Sequence, residues 1–210
     1  NIAIVGGSSD IAIATVNHIS KEEYNFFALI REQDKSSELS DLGVDVTIGD
    51  ATSEDDIKNF ISGVKESGEI HAILHCVGSF AVRPPHAMNK EAFETVISTN
   101  LTSAFLTLSI AGKAMLSQGH GRMVFMSSVA GSLGLVNHEA ISAAKGGVES
   151  MVRSAAATYA NRGLRINAVA PGLTDTKLAS PIMSNETASQ AASQKIPIKR
   201  VGQKEEVANV

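Results

Sequence analysis

The chain repeats one local pattern from end to end: a short apolar run, a stop made of glycine, serine or proline, then apolar residues at helical spacing. Asn1 to Val5 stops at Gly6-Gly7-Ser8-Ser9-Asp10, after which Ile11, Ala14, Thr15 and Ile19 recur on a helical face. Asn25 to Ile30 is the second run, and Val44 to Ile48, closed by Gly49-Asp50, is the third. Ile70 to Val77 ends at Gly78, Arg122 to Met126 at a serine pair, and Arg165 to Ala170 at Pro171-Gly172. Such runs read as buried strands and the intervals between them as helices. A parallel connection needs a crossover long enough for a helix, so this alternation predicts one parallel sheet covered on both faces.

The connecting segments carry matching signals. Ser53, with Asp56 three residues on, reads as a capping box ahead of a helix whose Ile57, Phe60, Ile61 and Val64 share a face. After Pro84-Pro85, a long helix is expected to place Phe93, Ile97, Leu101, Ala104, Leu108, Ala111 and Met115 on one apolar stripe. The helix holding Lys145 runs to about Ala160, and Lys204 to Val210 reads as another. No repeat or linker divides the sequence, so residues 1–210 are read as a single domain. The chain opens on a strand and stops in a helix, so both ends look cut.

Composition narrows the function classes. An apolar share of 43% is that of an ordinary globule. The net charge of −4 gives no electrostatic reason to expect nucleic acid or an anionic membrane as partner. No apolar run approaches the roughly 20 residues of a membrane helix, and nothing at the start of the chain suggests export. The single cysteine, Cys76, cannot form an intrachain disulfide and fits a reducing compartment, so a cytoplasmic location is expected.

Residues that carry chemistry gather where the strands end. Small residues at Gly6, Gly7, Ser8 and Ser9 let backbone N–H groups at a helix start approach a pyrophosphate. Asp10 competes for the same positive helix end, so these residues also suit a capped turn with no ligand. Ser127-Ser128 closes the fifth strand, and Lys145 lies in the next helix. The string Ile166-Asn167-Ala168-Val169-Ala170-Pro171-Gly172-Leu173-Thr174-Asp175-Thr176 spans the sixth strand and its turn.

The segment Ser127 to Lys145 and the I-N-A-V-A-P-G run resemble the short-chain dehydrogenase/reductase family, and the resemblance covers nearly the whole chain. It implies an α/β fold: a Rossmann-type doubly wound parallel sheet in three αβα layers, with a C-terminal strand beyond Val210. It also implies a dinucleotide. Gly6, Ser8, Ser9, Asp10 and Ile11 would line the pyrophosphate, Asp50 and Ala51 the adenine, Val77 and Gly78 the ribose. Lys145 would reach the nicotinamide ribose, and Pro171, Gly172, Leu173 and Thr176 the nicotinamide amide and phosphates. The match is incomplete, because only the first glycine of the family's T-G-x-x-x-G-x-G is kept and His75-Cys76 replaces both Asn of N-N-A-G.

Ile30 stands where family members that use NAD carry an acid, and Arg31 beside it resembles the members that use NADP. A guanidinium pairs with a 2′-phosphate, so NADP(H) is expected over NAD(H). Arg31 equally suits a solvated surface, Asp50 a turn ahead of a helix, and Cys76 either a nucleophile or a buried strand end.

In the family a Ser, a Tyr and a Lys act together. Ser128 lies thirteen residues before the Tyr position and Lys145 four residues after it, but the position itself holds Ile141, which cannot carry a proton. Tyr159 is about 21 Å along the helix from Lys145, and Tyr24 precedes the second strand at the far end of the sheet, so neither replaces it. His138 and Glu139, just before the helix, are the remaining titratable candidates, although a loop His also suits a helix cap. Asn100 is a poor helix former placed mid-helix. It matches a family Asn that widens the helix and holds a water in a proton relay, and a surface Asn is the plainer alternative. The candidate catalytic set is Ser128, Lys145, Asn100 and His138, with no metal.

Lys177 to Val201 takes the place of the substrate lid. The family also implies a homodimer or homotetramer formed through the long helix and the helix of Lys145, whose Ala143, Ala144, Gly146 and Gly147 permit close packing. Two functions follow. The first is an NAD(P)(H)-dependent oxidoreductase for a small-molecule carbonyl or secondary alcohol, with non-standard proton delivery. The second is a catalytically silent NADP(H)-binding protein acting as sensor or oligomer partner.

Overall fold

The computed structural model describes residues 1–19 and 23–210. β1 (Ile2–Val5), β2 (Phe26–Ile30), β3 (Val44–Ile48), β4 (Ala72–His75), β5 (Gly121–Met126) and β6 (Leu164–Val169) form a parallel sheet in the order β3-β2-β1-β4-β5-β6. The order reverses between β1 and β4, which opens a crevice at the carboxyl ends of the strands. Register pairs Val5 with Leu29 on one side and His75 on the other. Gly6 and Cys76 therefore leave the sheet along one edge, level with Ile30, the last residue of β2.

The crossovers are α1 (Asp10–His18), α2 (Ser36–Asp41), α3 (Glu54–Glu66), α4 (Lys90–Ile97), α5 (Ser103–Leu116) and α6 (Glu139–Tyr159). Beyond β6 come β7 (Thr174–Asp175), α7 (Ser180–Met183), α8 (Glu186–Lys195), β8 (Gly202–Gln203) and α9 (Lys204–Ala208). β7 pairs with β8, and α9 packs on α1.

Alternate strand side chains point to opposite faces, so the sheet has two cores. On one face Val5, Leu29, Ile73, Met123, Phe125 and Ile166 meet Ile57, Phe60 and Val64 of α3, Leu108 and Met115 of α5, and Val148 and Val152 of α6. On the other, Ile2, Ile4, Phe26, Ala28, Val44 and Leu74 meet Ala12 and Val16 of α1 and Leu39 of α2. Each large side chain buried this way stabilises by about 1.5–3 kcal/mol. A one-residue slip of any strand would exchange its two faces, which fixes the register at the sheet edge.

Four expectations need correction. Lys90–Leu116 is a continuous helix, long and apolar enough by length and composition alone to cross a bilayer. It is a core helix nonetheless, with Asn100, Ser103 and Thr107 buried against the protein. A π-turn at Ser98–Thr102 joins α4 to α5 and shifts the helical register. The apolar stripe therefore holds after the turn and fails before it: Phe93 is 41% exposed and Val96 takes the buried place. The fourth strand is shorter than expected, since Cys76 makes its N–H bond to Val5 O and the chain then leaves the ladder.

The capping box at Ser53 is only half made. The Ser53 hydroxyl accepts from Asp56 N at 3.2 Å, but Ser53 N already donates to Asp50 O. The Asp56 carboxylate accepts instead from Asp50 N at 2.7 Å.

Candidate active site

β1 delivers the chain into the first turn. Gly6 has φ +83°, and a Cβ there would stand 2.9 Å from Val77 N, so only glycine fits against the end of β4. Ser9 is the N-cap of α1, its hydroxyl accepting from Ala12 N at 3.1 Å. Asp10 does not cap. Its carboxylate accepts from Lys177 N and lies 3.8 Å from Lys177 Nζ, which ties the segment after β6 across the turn. Among the described residues, no acceptor is bonded to the amides of Ser8, Asp10 and Ile11. Open N–H donors at the positive end of a helix, among small side chains, fit a pyrophosphate.

At the end of β2, Arg31 is exposed, with Glu32 Oε1 3.4 Å away. Asp50 serves its turn: the amide and hydroxyl of Thr52 both donate to Oδ1 at 2.7 Å. These bonds, and to a smaller degree the nearby Arg31 charge, hold the Asp50 carboxyl below the usual range. Ala51 is buried beside it.

The end of β4 is built differently. His75 is buried, with Ser103 Oγ 3.2 Å from Nε2 and Thr107 Oγ1 3.1 Å from Nδ1. Ser103 Oγ donates to Thr99 O at 2.6 Å, so it accepts from His75 Nε2–H, and Thr107 donates to Nδ1. Burial, with the Lys145 charge adding to it, pushes the imidazole down to about 3 and keeps it neutral. His75 thus pins the π-turn through Ser103. Burial likewise pushes the Cys76 thiol up to about 12, against a hydrogen bond with Ser9 and the Lys145 charge, which disfavours a thiolate there.

The π-turn aims Asn100 inward. The side chain is fully buried, its Oδ1 accepting from Ser79 N at 3.2 Å and its Nδ2 donating to Ser79 Oγ and Val96 O at 2.8 and 2.9 Å. A Cβ at Gly78 would lie 3.4 Å from Asn100 Oδ1 and 3.7 Å from Lys145 Nζ, so Gly78, Asn100 and Lys145 share one space. The Lys145 ammonium donates to Met126 O at 2.7 Å. Burial pulls its pKa down to about 8, opposed weakly by Cys76.

Ser128 follows β5, and its Oγ accepts from Ala130 N at 3.2 Å, which leaves the hydroxyl proton free to be donated. Ser127 N donates to Val169 O at 2.7 Å and Val129 N to Pro171 O at 3.0 Å. These two bonds stitch the Ser128 turn to the turn after β6, bringing Pro171, Gly172 and Leu173 alongside. Nothing lies within 4 Å of where a Gly172 Cβ would be, so this side of the crevice is open. The Thr176 hydroxyl donates to Thr174 O at 3.3 Å.

Ile141 lies one helical turn before Lys145 and is packed away. It is buried with Val96, Ala130 and Ala144, and Ala81 and Met88 close over the cluster. Among the described residues, no hydrogen bond joins His138 or Glu139 to Ser128 or Lys145. His138 Nδ1 donates to Val136 O at 2.7 Å, leaving Nε2 free at the start of α6. The sequence reading missed Glu149, whose carboxylate holds hydroxyls on both sides of Ser128. It also missed the His75 network. Glu149 carried one signal, its place one turn after Lys145 on the same helix.

A parallel sheet of this order, with an anion-ready turn after β1 and a lysine and an asparagine sharing one space beyond β4, defines a dinucleotide-binding fold of the Rossmann type. The profile of the enoyl-(acyl carrier protein) reductase family matches residues 6–210. The 3-oxoacyl-(acyl-carrier-protein) reductase MabA of Mycobacterium tuberculosis is 32% identical over 210 residues, covering 100% of this chain and 83% of that protein. A short-chain type dehydrogenase/reductase from Mycobacterium ulcerans superposes with a TM-score of 0.93 at 25% identity, covering 99% of this chain and 80% of that one. An actinorhodin polyketide ketoreductase variant with NADPH gives a TM-score of 0.93 at 26% identity, covering 100% and 87%. The chain belongs to the short-chain dehydrogenase/reductase family and is a short-chain oxidoreductase.

Proposed function

We propose that the chain is an NADP(H)-preferring reductase of ketones, 3-oxoacyl thioesters among them, in which the proton comes from a group other than a phenol. The observation that carries this reading is the convergence of Lys145, Asn100 and Gly78 on one space, with Lys145 bonded to Met126 two residues before Ser128 and Ile141 in the place of the acid.

The residues present fit the dinucleotide. The open amides of Ser8, Asp10 and Ile11 would hold the pyrophosphate, Arg31 the 2′-phosphate, Asp50 and Ala51 the adenine, and Val77 and Gly78 the ribose. Lys145 would hold the nicotinamide ribose, and Pro171, Gly172, Leu173 and Thr176 the nicotinamide amide and phosphates. When bound, the reduced nicotinamide supplies hydride to the carbonyl carbon. Ser128 would hydrogen-bond the carbonyl oxygen through its free hydroxyl, keeping its own proton, and steady the charge that develops there. The Lys145 ammonium, held near 8 and paired with a carbonyl rather than a carboxylate, then gives that oxygen a proton, directly or through a water beside Asn100. His138 is the competing proton-transfer group: with its Nδ1–H on Val136 O, the free Nε2 is an acceptor that must first take up a proton from solvent before it can pass one to the substrate oxygen.

Large apolar side chains left exposed on the loops after β4 and β5, among them Phe80, Val82, Leu133, Leu135 and Val136, favour a ketone with hydrocarbon substituents. The named activity of MabA and the NADPH in the actinorhodin ketoreductase structure support the same reading. It includes a reducing, cytoplasmic setting for the lone Cys76. Self-association through the helix that exposes Phe93 and Phe105 is also part of it. A second reading, a silent NADP(H)-binding protein, is favoured by the packing of Ile141. NADPH oxidation measured against a panel of ketones and 3-oxoacyl thioesters separates the two. Turnover of any member supports the reductase, and NADPH binding with no turnover supports the silent protein. His138→Ala with undiminished turnover would leave Lys145 as the donor.

A further inference from the structure

We propose that Glu149 is the positioning residue for Ser128: one carboxylate on α6 grips hydroxyls on both flanks of the Ser128 turn and fixes that turn against the helix of Lys145. This role rests on the proposal that Ser128 meets the substrate oxygen.

The geometry is a clamp. Glu149 Oε1 accepts from the Ser127 hydroxyl at 2.9 Å, and Oε2 accepts from the Ser132 hydroxyl at 2.7 Å. Ser127 and Ser132 bracket Ser128 and the short 3-10 turn Val129–Gly131. The Ser127 hydroxyl also lies 3.2 Å from the backbone carbonyl of Lys145, so the residue before Ser128 meets α6 at Lys145 as well as at Glu149. Gly131 lets the turn come this close. A Cβ there would stand 2.8 Å from Glu149 Oε1, 3.0 Å from Gly146 N and 3.0 Å from the Lys145 carbonyl carbon. Gly146 meets the turn from the helix side, where a Cβ would lie 3.1 Å from Gly131 O.

The carboxylate side chain is 15% exposed, and among the described residues the one cation paired with it, Arg153, is 3.8 Å away and largely solvated. Its strong partners are the two serines. A hydroxyl bonded to a charged acceptor in a half-buried setting is held more firmly than one bonded to a neutral group. With both flanking hydroxyls held, the turn that presents Ser128 has little freedom to lift from α6.

The test compares Glu149→Gln and Glu149→Ala by steady-state kinetics, NADPH binding and amide hydrogen exchange. The Gln variant keeps an acceptor for one serine and a donor for the other, and is expected to retain kcat within about threefold. The Ala variant is expected to lose about tenfold or more in kcat while its affinity for NADPH stays unchanged. In the Ala variant the amides of Ala130 and Gly131 should exchange faster, while those of Val148 and Val152 hold. Joint Ser127→Ala and Ser132→Ala substitution removes the same bonds from the other side and should reproduce the Ala result, which keeps the test open if Glu149→Ala fails to fold. Unchanged exchange at Ala130 and Gly131, or a loss of kcat matched by a loss of NADPH affinity, would overturn the assignment. A parent chain that reduces no ketone contradicts the proposed function, and the exchange measurement then decides alone whether Glu149 holds the turn.

Discussion

The Lys145 ammonium donates to the Met126 carbonyl across 2.7 Å, joining the middle of α6 to the end of β5. Lys145 is 6% exposed. Among the described residues no carboxylate pairs with it. A buried cation held by a carbonyl alone costs stability, and a chain keeps such a group where it has work to do.

That cost has a definite sign in pH. The Lys145 pKa is lowered to about 8 in the folded chain, below its unfolded value, so between the two the unfolded chain binds more protons. The penalty is complete below pH 8 and fades as pH rises toward the unfolded value. Denaturant unfolding of Lys145→Met should therefore show a chain more stable at neutral pH by on the order of 3 kcal/mol at most, with the alkaline rise in stability removed. Nicotinamide binding should weaken in the same variant.

His75 gives an acid limb. Its folded pKa is lowered to about 3 from 6.5, so its contribution is fully present above 6.5 and is lost as pH falls toward 3. Protonation of Nδ1 would also break the bond from Thr107. His75→Asn should flatten the pH dependence of unfolding in this window by about 1.4 kcal/mol per pH unit, read from urea midpoints on both chains.

Ile141→Tyr restores a phenol one turn before Lys145. The ring must enter the cluster of Val96, Ala130 and Ala144, which costs about 1–3 kcal/mol and lowers Tm by a few degrees. Ketone reduction should nevertheless rise by about a hundredfold or more, because a positioned acid near a lysine supplies general catalysis. The check is kcat beside a melting curve.

Arg31→Ala should weaken NADPH binding by about tenfold or more and leave NADH untouched, since a guanidinium can pair with the 2′-phosphate alone. Fluorescence titration with both nucleotides reads the ratio.

The sheet is legible in the sequence because most of its strands end at or near a small or turn-forming residue, as Val5 does at Gly6 and Val169 near Pro171. Phe93 is misplaced because regular spacing takes no account of a π-turn, and Ser103, which bonds Thr99 O in that turn, is itself bonded to His75, 28 residues away in sequence. Asp10 is ambiguous for a like reason, its partner Lys177 lying 167 residues away. Glu149 reads as one more surface acid until the fold carries Ser127 and Ser132 to it. Pairings between remote side chains leave no periodic trace.

Calorimetric titration of the chain with NADPH and with NADH tests the central claim most directly. The account predicts saturable NADPH binding at about 10 μM or tighter, with NADH about tenfold weaker. No heat of binding from either nucleotide at millimolar concentration would contradict it.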